Sequence, residues 1–139
     1  RAVKVDFITN SVKAILAKYP QISHVCIEAP FYSALTPMAY GSLIEVISAI
    51  RYVVLLPAKL THSMAEPLLV KRLFINVKLG KDLKKKDAMR MFLVKKVSEG
   101  DILLPCEVDA LSEHEIDAIA VGYSRAVSEA LAIQNTPNT

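Results

Sequence analysis

Three side chains in this 139-residue sequence have the types and setting to bind a divalent cation: Glu28, His114 and Asp117. Glu28 closes a short apolar run, His24-Val25-Cys26-Ile27-Glu28-Ala29-Pro30-Phe31, which proline then stops. A buried strand of this kind delivers a carboxylate to a sheet edge. The plainer reading of Glu28 is a solvated residue at a strand end. His114 and Asp117 lie three residues apart at the start of a helical pattern, so both leave one face and can share a ligand. Their plainer reading is the preference of acidic and polar residues for a helix N-terminus, where the macrodipole favours negative charge. The small residues of Asp117-Ala118-Ile119-Ala120-Val121-Gly122 let that helix start press onto a sheet, with a strand-end carboxylate facing it. Carboxylate oxygens are the ligands Mg²⁺ or Mn²⁺ takes, and a metal pair can clamp the attacking and leaving oxygens of a phosphodiester. A histidine in the set can ligate Mn²⁺ or orient the attacking water.

The elements that must position these groups follow from periodicity and punctuation. Val5, Ile8, Val12, Ile15, Leu16 and Tyr19 recur at helical spacing, with Lys4, Lys13 and Lys18 off the stripe, and Pro20 ends this first helix. The strand Val25 to Glu28 comes next, a helix-to-strand step of ordinary α/β length. Thr36-Pro37 reads as N-cap and first helical position of a second helix reaching at least Arg51, with Tyr40, Leu43, Ile44, Ile47 and Ile50 inward. Val53 to Leu56 either finishes that helix or forms a strand, and a further strand is expected between Lys59 and Ala65. Asp82 is a candidate cap for a third helix from about Lys84 to Val97, with Met89, Phe92, Leu93 and Val97 inward and Gly100 closing it. Ser112-Glu113-His114-Glu115 is a capping box, which assigns Glu115 a structural role. The helix it opens carries Ile116, Ile119, Ala120, Tyr123, Val127 and Leu131 inward.

Composition narrows the class. The chain is 53% hydrophobic without an uninterrupted apolar span of the length of a membrane helix, which reads as a soluble protein. Cys26 and Cys106 lie far apart and form no C-x-x-C pair, which argues against a zinc knuckle or disulfide framework and fits a reducing compartment. The net charge is +3, with basic residues concentrated between Lys71 and Lys96, an arrangement that permits an anionic partner. Lys84-Lys85-Lys86 at a helix start opposes the dipole, and a phosphate would offset that cost. A solvated helix start is the alternative. His24 and His62 read as structural or surface residues.

In order and spacing these features resemble the RuvC-type Holliday-junction resolvases. The resemblance rests on Ile27-Glu28 with the aromatic Phe31 three residues on, a basic region ending in Lys86 at a helix start, and His114-x-x-Asp117-Ala118-x-Ala120. It implies an α/β fold of the ribonuclease-H-like type, a mixed sheet flanked by helices, as a single nuclease domain over residues 1–133 with a polar tail over 134–139. Glu28, His114 and Asp117 would be metal ligands, Lys86 a catalytic lysine, and Lys71, Lys78, Lys84 and Lys85 DNA contacts. The resemblance further implies two Mg²⁺ or Mn²⁺ ions per subunit, branched DNA as substrate, a homodimer, no membrane, and the cytoplasm of a bacterial cell or phage-infected host.

Two departures qualify the match. The family's first strand, which bears an aspartate, has no counterpart, so further strands are expected upstream of Arg1; Asp6 lies in a helical pattern too close to Glu28 to replace it. In the basic region, Val70-Lys71-Arg72 and Lys78 compete for one lysine-bearing segment. The rival readings are a ribonuclease-H-like module that binds nucleic acid or protein without cleaving, and a ribonuclease H or transposase relative.

Overall fold

The computed structural model describes residues 2–30, 34–67, 70 and 85–135, and leaves the side chains of 85 and 86 undescribed. Helix α1 (Ala2–Lys18) leads through a turn at Pro20 to strand β1 (His24–Glu28), and helix α2 (Pro37–Ala49) continues without a break into a π-helical segment (Ile50–Leu55). Strand β2 (Thr61–Ala65), helix α3 (Lys85–Ser98), a 3₁₀ turn (Val108–Ala110) and helix α4 (Glu113–Gln134) follow. The expected elements are thus α/β, with the further strand at Thr61–Ala65 as anticipated. The chain gathers into two compact units, Arg1–Met64 and Ala65–Thr139.

In the first unit β1 and β2 form a two-stranded sheet, joined by the crossover through α2. Thr61 and Ser63, at the start of β2, bond His24 at the start of β1, so the strands are parallel. Parallel strands are ordinarily covered on both faces. With two strands among the described residues, His24, Val25, Cys26 and Ile27 of β1 are half-buried and Glu28 at its end is exposed. This corrects the fully buried strand expected from the apolar run, and it leaves Cys26 partly accessible. The inward stripes thin out for the same want of neighbours. Ile47 of α2 is buried, whereas Leu43 and Ile44 are exposed, as are Ile15 and Tyr19 near the end of α1.

Thr9, which the apolar stripe passed over, is buried on α1; its hydroxyl donates to the Val5 and Asp6 carbonyls, so its burial leaves no polar atom unpaired. Thr36 precedes Pro37 as expected, but its side chain makes no capping bond.

The π-helical segment answers the question left open at Val53 to Leu56. Leu56 N–H reaches the Arg51 carbonyl at 2.9 Å, five residues back. The wider turn rotates the face that follows, so Val54 and Leu55 are buried while Tyr52, Val53 and Leu56 face outward. The continuous helix Pro37–Leu55, 19 residues with a mean hydropathy of 1.5 and 17% buried, is long and apolar enough to cross a membrane by length and composition, although Glu45 and Arg51 interrupt it.

In the second unit α3 packs on α4. Leu93, Val108 and Ile116 form the core, with Met89, Val97, Ile102, Leu104, Leu111 and Ile119 against it. Phe92 and Tyr123 meet edge to face with centroids 6.0 Å apart. The α3 stripe stands as expected. On α4 it runs as far as Val127, but Leu131 is 52% exposed, because the packing partners end before the helix does. Gly100 closes α3 at φ 79°, with Gly100 N–H on the Val97 carbonyl and Asp101 N–H on the Lys96 carbonyl, a complete Schellman motif. Asp82 and most of the 134–139 tail lie outside the described residues.

The same motif ends the π-helical segment, where Lys59 N–H bonds Leu56 and Leu60 N–H bonds Leu55. Lys59 occupies the left-handed position at φ 55°, where a Cβ costs about 1 kcal/mol. Lys59→Gly is expected to raise stability by up to about 1 kcal/mol in urea denaturation, since glycine relieves that clash at an exposed turn. An unchanged or lower midpoint would show that the turn carries no such strain.

Candidate functional site

The start of α4 is fixed by two independent sets of bonds. Ser112 N–H donates to Glu115 Oε2 at 2.7 Å, and Glu115 N–H donates to Ser112 Oγ at 3.3 Å, the reciprocal capping box expected from sequence. From α3, Arg90 donates to the Val108 carbonyl at 2.8 Å and to the Leu111 carbonyl at 3.1 Å, with Asp109 at 3.8 Å from the same guanidinium. Arg90 therefore clamps the 3₁₀ turn that feeds into Ser112. Sequence reasoning missed this residue, because nothing in its neighbourhood marks a basic side chain on α3 as a backbone clamp.

On this fixed turn His114 and Asp117 are both exposed, one helical step of three apart on a common face. Ile116, between them, is buried and orients the turn. Among the described residues neither His114 nor Asp117 has a side-chain hydrogen bond or ion pair, and the same is true of Glu28 in the first unit. Several other carboxylates of the second unit are occupied: Glu115 by the cap, Asp109 by Arg90, and Glu99 and Asp101 by Lys96 at 2.9 and 3.0 Å. Those two bonds, Glu99 first and Asp101 second, hold the Lys96 ammonium above its ordinary range. Asp6, Glu66, Asp87 and Glu107 are exposed and unpaired in the same way, so freedom from partners does not by itself single out a ligand. Glu28, like Glu66 just beyond β2, stands at the carboxyl end of a parallel strand, where open α/β sheets bind their ligands.

Strand alternation puts His24, Cys26 and Glu28 on one face of the sheet, together with Thr61 and Ser63. Both ring nitrogens of His24 are engaged, Nδ1 with Thr61 Oγ1 and Nε2 with Ser63 Oγ, each at 2.8 Å. His62, on the opposite face, accepts from Arg51 Nε at 2.9 Å. Of the two expectations for these histidines, structural or surface, the bonds agree with the structural one.

The structure brings His114 and Asp117 to one face and places Glu28 in a separate unit. Within either unit the described residues hold no group of three His, Cys, Asp or Glu side chains close enough for one metal ion. Lys71, Lys78 and Lys84 lie outside the described residues, as do the side chains of Lys85 and Lys86, although the backbone of both lysines opens α3.

The Ser112 backbone N–H, followed by the Ser112 hydroxyl, holds the Glu115 carboxyl below the ordinary carboxylate range. Because the folded-state value is depressed, the stabilisation is fully present above the unfolded-state titration and is lost as pH falls through the folded value. Denaturation of the wild type and Glu115→Gln should therefore show a gap at neutral pH that closes below about pH 4. A gap of constant size through that range would mean that the ionised carboxylate contributes nothing to the cap.

No family model, curated protein or solved structure matches the chain.

Proposed function

We propose that this chain is the catalytic region of a RuvC-type endonuclease, a ribonuclease-H-like protein that resolves four-way DNA junctions as a homodimer using Mg²⁺ or Mn²⁺. The observation that carries this reading is the pair His114 and Asp117, exposed on one face of a helix start that the capping box and Arg90 hold in place. Glu28 supports it as an unpaired carboxylate at a strand end. Two carboxylates and an imidazole suit Mn²⁺ or Mg²⁺ by donor chemistry, and all three side chains are accessible.

In this reading His114 and Asp117 would ligate the cation, and Glu28 is the further ligand that the family pattern assigns. When bound, the cation supplies Lewis acidity toward the phosphodiester and makes water a nucleophile near neutral pH. Lys86 is assigned to the charge that develops on the phosphate, and Lys71, Lys78, Lys84 and Lys85 to backbone phosphates along the junction arms. A two-fold junction calls for two sites related by two-fold symmetry, which a homodimer provides. Specificity then comes from junction shape rather than base sequence.

The protein as its gene encodes it, incubated with a synthetic four-way junction and Mg²⁺ or Mn²⁺, should give paired nicks. Glu28→Gln and Asp117→Asn should each lower the nicking rate by at least about 100-fold, while gel-shift affinity stays within about two-fold, since each removes ligand charge without changing shape. Binding with no product in either metal would favour a non-catalytic module, and cleavage of an RNA/DNA hybrid in place of the junction would favour a ribonuclease H relative.

His114→Asp replaces a nitrogen ligand with a harder oxygen one and should shift the ratio of nicking rates from Mn²⁺ toward Mg²⁺. A folded variant inactive in both metals would argue against His114 as an exchangeable ligand.

A further inference from the structure

His24 ties β1 to β2 on one face of the sheet and His62 of β2 meets Arg51 on the other, and their bonding differs in one chemical respect. Thr61 Oγ1 donates its single proton to the Ser23 carbonyl at 3.1 Å, so its 2.8 Å contact with His24 Nδ1 requires that nitrogen to carry the hydrogen. His24 Nε2 faces the Ser63 hydroxyl at 2.8 Å, which can either donate or accept. The His24 network is therefore complete whether the ring is neutral or protonated.

His62 has no such latitude. Arg51 Nε bears a hydrogen and no lone pair, so the 2.9 Å contact exists only while His62 Nε2 is unprotonated and the ring hydrogen sits on Nδ1. Adding a proton at Nε2 points two N–H groups at one another and sets an imidazolium against a guanidinium. Arg51 is also the residue whose carbonyl closes the wide turn to Leu56, and its guanidinium lies over the Tyr52 ring, 5.5 Å from the centroid.

We infer that the Arg51–His62 bond is an acid-labile latch: protonation of His62 releases the π-helical segment from β2, while His24 keeps β2 in register with β1. Among the described residues no carboxylate bonds Arg51 or His62. Strand alternation gives β1 Val25 and Ile27 on the His62 face, and places Cys26 and Glu28 on the far side with His24. From α2 the ionisable residues are Tyr40, half-buried, and Glu45, exposed; from α1 they are Lys4, Asp6, Lys13 and Lys18, all exposed. Lys59, in the turn before β2, is exposed and cationic. The latch does not depend on the nuclease reading.

The test compares the wild type with His62→Gln and His24→Gln by thermal melting at about pH 8 and about pH 5. Glutamine offers an acceptor at the position of Nε2 that does not titrate. The wild-type loss of Tm on acidification should fall by at least half in His62→Gln and persist in His24→Gln. Without any variant, ¹⁵N spectra of the wild type should show His62 as the Nδ1–H tautomer at about pH 8. On acidification, amide shifts should move through residues 50–60 while β1 stays in place. An acid response in His62→Gln equal to that of the wild type, or a His62 ring carrying its proton on Nε2 at about pH 8, overturns the latch.

Discussion

The second unit depends on where α4 begins. A helix start leaves its first N–H groups without partners inside the helix, and an exposed turn tends to fray unless something else satisfies them. Here Ser112 and Glu115 exchange bonds across the first turn, and Arg90 holds the two carbonyls just before it. Ile116 then enters the core beside Leu93 and Val108. With the cap outside and the core inside both set, the residues that remain on the free face, His114 and Asp117, have little orientational freedom in the backbone. That rigidity is what a ligand-binding pair requires, since side chains on a frayed turn would lose entropy on every binding event.

The first unit meets a different constraint. A parallel strand pair has to be joined by a long crossover, and α2 with its π-helical continuation is that crossover. The wide turn changes which side chains face the rest of the unit: Val54 and Leu55 go inward, and Arg51 comes to His62. A regular helix over the same residues would advance each later side chain by about 100° relative to this arrangement. Two Schellman closures, at Lys59 and at Gly100, end the helical runs by the same geometry, although only the second uses the residue type the left-handed position favours.

Charge is handled in two ways. Lys96 is enclosed by Glu99 and Asp101 and lies 5.6 Å from the Phe92 ring centroid, so its charge is neutralised within the protein. Glu28, His114 and Asp117 have no such neutralising partner among the described residues. An ionised side chain in water costs little, which is why exposure alone cannot identify a ligand. The nuclease reading therefore rests on a helix-start pair in one unit, a strand-end acid in the other, and the family pattern those residues resemble.

Local signals determined much of this protein from sequence. The capping box, Pro37 at a helix start, Gly100 at a helix end and the α3 stripe all act within a turn or two of the chain, and each was legible because its partners are sequence neighbours. The strand at Thr61–Ala65 was legible too, though only as a low-contrast run between turns. Tertiary structure decided the rest. Whether Val53 to Leu56 is helix or strand depends on packing, since β-branched residues serve both. The bonds of Arg90 to the 3₁₀ turn, of Arg51 to His62 and of His24 to Thr61 and Ser63 join residues that are distant in sequence. No spacing rule encodes such pairs, because they exist only once separate elements have packed. The half-burial of β1 and the exposure of Ile44 and Leu131 belong to the same class, for a periodic stripe tells which face is apolar but not whether another element covers it.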